Sequence, residues 1–185
     1  MASTVPPVCD FGTPAPEFAL PGTDGRIHTL SGSRGARGLL VMFICNHCPY
    51  VKAVLERIER DARDLQALGI GVVAISANDA VQYPEDGFEA MKQLAQARGF
   101  SFPYLFDETQ AVALAYGAVC TPDFFGYNAD LQLQYRGRLD ASRKETAPAD
   151  ARRDLFLAME EVARSGRGPA EQIASMGCSI KWKAA

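Results

Sequence analysis

Two cysteines three positions apart, Cys45 and Cys48, lie in the stretch FICNHCPYV, with Asn46 and His47 between them and Pro49 directly after. Thiols at this spacing can cycle between dithiol and disulfide, one sulfur attacking a partner and the other resolving the mixed disulfide. They can also supply half of a zinc site, but no second CxxC and no HxxxH occurs, and Cys120 and Cys178 would complete four thiolates only by coincidence of the fold. Two inert buried thiols are a third reading, opposed by the polar Asn46-His47 insert. A covalent staple is a poor account, because so small a loop removes little entropy from the unfolded chain. The reading carried forward is a redox-active dithiol that uses no metal and no cofactor, there being no glycine-rich loop to cradle a nucleotide or flavin phosphate.

The elements around the pair strengthen that reading. Gly38 to Cys45, GLLVMFIC, is a continuous apolar run, as expected of a strand buried on both faces. Val51, Val54, Leu55, Ile58, Ala62, Leu65 and Leu68 then recur at helical spacing opposite a charged face, and Gly69 ends the helix. The dithiol therefore falls between the carboxyl end of a buried strand and a helix start. Unpaired backbone N–H groups and the helix dipole favour a thiolate there, lowering a cysteine pKa by one to several units from about 8.5. His47 adds a hydrogen-bond donor, or a positive charge when protonated.

Gly71 to Ala77 reads as a second buried strand, so strand, helix and strand imply a right-handed parallel crossover. A helix follows through Phe88, Met91, Leu94 and Ala95 to Gly99, then a strand over 102–106, a short helix over 110–116, and an antiparallel hairpin over 124–127 and 131–139. Ahead of the first long strand, Glu17 to Leu20 and Arg26 to Thr29 read as a small hairpin. Near the other end, Asp150 is a candidate cap for a last helix carrying Leu155, Phe156, Met159 and Val162. Residues 1–16 read as an extended lead-in and 167–185 as an irregular tail, with one domain spanning 1–185.

Cys120, Thr121 and Pro122 form a second notable group. Proline drives the residue before it toward extended backbone, which makes Thr121-Pro122 a candidate cis peptide at a strand entrance, although only about 5% of such bonds are cis. Cys120 would either accept the disulfide as a third thiol or fill a core niche. Structural packing is the expectation for Cys178, with a redox partnership to Cys9 or the active site as the minority reading; Tyr83, Glu85 and Asp86, in a loop after a parallel strand, read first as a solvated loop and second as a rim of the site.

The net charge of −3, from 19 basic and 22 acidic residues without a basic run, argues against nucleic acid as a partner. No apolar run approaches the length of a membrane span, and the N-terminus lacks the basic and apolar parts of a secretory signal, so a cytoplasmic protein with no membrane partner is expected. Five cysteines fit a reducing compartment better than a disulfide-stapled scaffold.

FICNHCPYVKAV, VAISANDAVQYPEDGFEAM, YLFDETQAVALAYGAVCTPDFF, YRGRLD and GCSIKWK together resemble the bacterial peroxiredoxin-like (AhpC/TSA-like) thioredoxin-family proteins over about residues 11 to 183. The resemblance implies an α/β thioredoxin fold: three α/β/α layers, a mixed central sheet, an N-terminal β-hairpin and a redoxin-type helix and strand insertion. It implies that Cys45 stands in the place of the thioredoxin nucleophile, Cys48 in that of its resolving partner, and Pro122 in that of the cis-proline, whose loop binds extended substrate backbone. The implied activity is thiol-disulfide exchange on a protein or small-molecule disulfide, regenerated by an external dithiol, with thiol-dependent peroxidase as the alternative; a noncatalytic binding module is the reading from another class. A homodimer is compatible with it.

The chain also departs from both parent patterns. Leu39 stands where thioredoxins carry a buried aspartate, leaving His47, Asp79 or Asp123 as loose substitutes. Val41 and Cys45 stand at the proline and threonine positions of the peroxiredoxin PxxxTxxC pattern, whose attacking cysteine aligns with Cys48. Pro49 opens a register question. At the first helical position it makes Cys48 the cap, whereas a cap at Cys45 puts it about four residues in, where its missing N–H costs a hydrogen bond. Cys45 is the expected, more exposed attacker.

Overall fold

The computed structural model describes residues 3–7 and 9–184. Its five-stranded main sheet runs, edge to edge, through residues 104–106, 70–76, 38–43, 123–127 and 133–135. The three parallel strands are β4 (Gly38–Phe43), β5 (Ile70–Ser76) and β6 (Tyr104–Phe106); β8 (Asp123–Tyr127) runs antiparallel to β4, and β9 (Leu133–Tyr135) antiparallel to β8. The sheet is thus mixed, as expected.

β4 is buried along its whole length, and its pleat divides its side chains between two cores. Leu40 and Met42 face α2 (Pro49–Ala67) and α5 (Asp154–Ser165), packing with Val51, Val54, Ile58, Leu155, Met159 and Val162. Leu39, Val41 and Phe43 face Leu30 of the short α1 (Leu30–Ser33), Ala113 and Tyr116 of α4 (Ala111–Tyr116), and Phe18 and Leu20 at the N-terminal hairpin. Helices therefore cover both faces, which gives the three layers. That hairpin pairs β2 (Ala19–Pro21) with β3 (Ile27–Thr29). The inserted α3 (Phe88–Arg98) ends at Gly99, whose φ of 61° is the left-handed conformation that glycine adopts at helix ends.

Three local expectations are corrected. The last helix is capped at Arg153 rather than Asp150 and starts at Asp154, where a first-turn carboxylate meets the helix dipole. The final hairpin strand is shorter than residues 131–139, because Asn128 takes the backbone N–H of Gln132 on its side chain and the strand ends at Tyr135. Neither chain end is featureless. β1 (Ser3–Thr4) and β10 (Gly177–Ser179) join β7 (Cys120–Thr121) in a small antiparallel sheet of order β1-β10-β7, and strands of two or three residues are too short to show periodicity.

Among the described residues no helix is long and apolar enough to cross a membrane.

Candidate active site

β4 ends at Phe43, and Ile44 to His47 form the loop that carries Cys45 into α2. The helix cap is Cys48, and Pro49 takes the first helical position, where its missing N–H costs nothing because that donor has no partner within the helix. This settles the register on the side of Cys48 and leaves Cys45 in the loop before the helix. The expectation of a more exposed Cys45 is also not met. Cys45 is 1% exposed and Cys48 0%, so both are buried, with Thr121 against both sulfurs.

Thr121 meets both sulfurs. Its hydroxyl lies 3.3 Å from the Cys45 sulfur, and its carbonyl accepts from the protonated Cys48 thiol at 3.1 Å. The peptide bond that follows, Thr121-Pro122, is cis, as read from the sequence.

The two thiols have opposite acidities. A hydrogen bond from Cys45 holds the Cys48 thiol below its ordinary range against the cost of burial, with further help from the Thr121 and Cys178 side chains. Cys45 is pushed well above its ordinary range, first by donating to Cys48, then by burial and by the negative charge of Asp86. Both directions favour Cys48 over Cys45 as the more acidic thiol.

Asp86 is the residue that sequence reasoning misplaced. It follows Pro84 and Glu85 in a polar loop that reads as solvated, yet it is 0% exposed. Its Oδ1 accepts the backbone N–H groups of Asn46 (2.8 Å) and His47 (3.1 Å), while its Oδ2 lies 2.5 Å from the His47 ring Nδ1 and accepts from the Asn78 amide at 2.7 Å. Asn46 completes the clasp by donating to the Glu85 carbonyl at 2.9 Å and accepting from the Tyr104 hydroxyl at 3.1 Å. Tyr83 stacks on His47, ring centroids 5.2 Å apart and ring planes nearly parallel. The signal available in the sequence was an acidic loop, with Asp79, Glu85 and Asp86, directly after a parallel strand, where sites of open sheets collect.

Cys45, His47 and Asp86 offer ligand atoms within 4.8 Å of one another, the one such cluster among the described residues. It fits a metal poorly, because Asp86 already accepts four N–H donors that a cation would have to displace. Neither Cys120 nor Cys178 is part of that cluster.

The other candidates divide. The Cys120 thiol points to the Pro122 carbonyl (3.5 Å) and the Ser175 hydroxyl (4.0 Å), and burial pushes its pKa far up, so its surroundings are those of a core thiol. Asp123 is buried against Arg136 at 3.1 Å, and Asp79 accepts the Val81 N–H; both are committed to their own loops. Cys178, expected first of all to pack, lies beside Cys48.

The AhpC/TSA family model matches residues 11–141. The chain belongs to the AhpC/TSA family. It is 43% identical, with a TM-score of 0.94, to an uncharacterized conserved protein from Geobacillus kaustophilus, covering 100% of this chain and 98% of that one. It is 39% identical, with a TM-score of 0.92, to a hypothetical protein from Sinorhizobium meliloti 1021, covering 98% and 100%. The fold extends to the peroxidoxin BcpB of Mycobacterium tuberculosis at 17% identity and a TM-score of 0.62, over 85% of this chain and 98% of that one. None of the curated proteins matches the sequence. Membership of the AhpC/TSA family brings the thioredoxin fold and thiol redox chemistry in general.

Proposed function

We propose that this AhpC/TSA-family protein is a thiol-disulfide oxidoreductase in which Cys48 attacks and Cys45 resolves. The observation that carries this reading is the position of Cys48 at the cap of α2, where its thiol is held below its ordinary range while that of Cys45 is pushed above it. Those roles are the reverse of the sequence-based expectation, for the physical reason that Pro49 fixes the helix start one residue after Cys48.

The Cys48 thiolate attacks one sulfur of a substrate disulfide, forming a mixed disulfide and releasing the first substrate thiolate. Cys45 then loses its proton to the departing sulfur and attacks the Cys48 sulfur, which frees the second substrate thiol and leaves Cys45–Cys48 oxidised. Two electrons pass from the protein to the substrate, and an external dithiol returns them. Asp86 acts as a positioning residue, holding the loop that presents Cys45 and disfavouring a second thiolate beside the first. Asn46, His47, Thr121 and Pro122 frame the pair, and a protein or small-molecule disulfide, a cytoplasmic setting and no metal fit this chemistry.

A second reading, hydroperoxide reduction through a Cys48 sulfenic acid, is favoured by one observation: the helix start one residue after that cysteine is the register of the peroxiredoxin pattern. Turnover with a disulfide substrate under a dithiol-coupled assay, run beside peroxide consumption, separates the two. Catalytic disulfide reduction with slow, noncatalytic peroxide loss is expected; the opposite pattern overturns the first reading.

A further inference from the structure

The small sheet β1-β10-β7 places a third thiol on the dithiol. Cys178 is directly opposite Thr121 in the antiparallel β10–β7 pair, and Ser179 is opposite Cys120. Residues directly opposite one another in such a pair carry their side chains on the same face, with Cβ atoms about 5 Å apart. Thr121 aims its hydroxyl at the Cys45 sulfur on that face, so Cys178 shares the face of the dithiol while Cys120 takes the other. Cys178 and Cys48 lie in the same buried cluster, where α2 packs against β10.

The strand is held there by its flanks. Ile180 N–H donates to the Val119 carbonyl, Lys181 N–H to the Asn78 side chain, and Lys183 N–H to the Gln110 side chain, while Asp79 N–H donates to the Lys181 carbonyl. The C-terminal segment thus ties itself to the loop that also carries Asp86. It fills the backbone edge of Thr121, and the chain itself lies where an extended peptide would pair beside the dithiol.

We propose that Cys178 is a third redox thiol, which resolves Cys48 by forming a Cys48–Cys178 disulfide when Cys45 is not available. The proposal rests on Cys48 being the attacking thiolate. In the first step Cys48 joins one substrate sulfur and the other leaves as a thiolate. In the second, the Cys178 thiol gives its proton to the departing substrate sulfur and its sulfur bonds to Cys48. The substrate disulfide gains two electrons and the Cys48–Cys178 pair loses two. When Cys45–Cys48 forms first, attack of Cys178 on Cys48 frees the Cys45 thiol and moves the disulfide with no net oxidation.

The test is a single turnover of one equivalent of a nitroaryl disulfide with the full chain carrying C9S and C45S, Cys9 being removed because it is only half-buried. Each cleavage releases a coloured aryl thiolate. Release of two aryl thiolates per protein, falling to one when C178S is added, is the expected result, with a Cys48–Cys178 peptide in the digest. Release of one, with the aryl group left on Cys48, overturns the third-thiol proposal and leaves the Cys48 attack standing. Release of none overturns both. A C45A version of the same chain and a thermal melt of each variant keep the outcome readable where a serine disturbs folding; two thiolates from any folded variant lacking Cys45 and retaining Cys178 support the proposal, and one overturns it.

Discussion

Asp86 holds His47 through both carboxylate oxygens, Oδ1 accepting its backbone N–H at 3.1 Å and Oδ2 lying 2.5 Å from its ring Nδ1. Because Oδ1 also takes the Asn46 N–H, one buried side chain fixes two consecutive peptide units of the loop between the cysteines. The dithiol is therefore positioned from a loop that follows β5, about forty residues along the chain.

Replacing Asp86 with asparagine keeps the volume but turns an amide N–H₂ toward donors. Asp86→Asn is expected to destabilise the fold by about 2 to 4 kcal/mol, the scale for a buried charged acceptor lost to an unsatisfied pair. Denaturant unfolding measures it. The same variant removes the negative charge beside Cys45, so the Cys45 pKa moves down, read by the pH dependence of its alkylation in a C48S background. No change in either quantity contradicts the clasp.

The acidity of Cys48 makes its own prediction. Its folded pKa is lowered from 9.0 to about 4, principally by the Cys45 thiol. A depressed folded value stabilises the protein above the unfolded pKa, and that contribution disappears as pH falls through the folded one. The stability difference between wild type and Cys48→Ala should thus shrink steadily from pH about 9 down to about 4. Thiolate absorbance persisting at neutral pH should vanish in Cys48→Ser. Cys45→Ala raises the pKa of Cys48 more than Cys45→Ser does, because serine still offers a donor.

Pro49 distinguishes the two helix registers. At the first helical position its ring removes no helix hydrogen bond, so Pro49→Ala should change stability by less than about 1 kcal/mol in either direction. A proline four residues inside the helix would cost about 3 kcal/mol, and its replacement would stabilise by that order. Thermal unfolding of the single variant decides between them.

Gly177 sits where β10 approaches β7. A Cβ there would clash with the Thr121 carbonyl oxygen, a backbone contact that no side-chain rotation relieves. Gly177→Ala should pry β10 from Thr121, expose Cys178, and raise its alkylation rate by more than about tenfold, since a closed segment must open before its groups react. An unchanged rate in a folded variant contradicts the covering of Cys178 by the β10–β7 pairing.

Much of this architecture was legible because it is written in local periodicity. The apolar run ending near Cys45, the α2 stripe from Val51 to Leu65 and the run through Val73 each announce an element, and Pro122 announces its own turn. What escaped depends on tertiary placement. Asp86 is a polar residue in a polar loop, and its burial shows only when α2 and the 78–87 loop meet. Cys178 lies in a three-residue strand whose pairing partner is 57 positions away at Thr121. The roles proposed for the two cysteines turn on a single residue, Pro49, which the sequence displays without fixing the helix start.

The most direct test of the account is the rate at which each cysteine forms a mixed disulfide at neutral pH, with the resolving thiols removed. C45S/C178S and C48S/C178S proteins are mixed with excess disulfide substrate, and the adduct is located by peptide mass. The account predicts rapid formation of one adduct on Cys48 in the first protein and formation slower by about 100-fold or more on Cys45 in the second, following their thiolate fractions. Equal rates, or a faster reaction at Cys45, would contradict it.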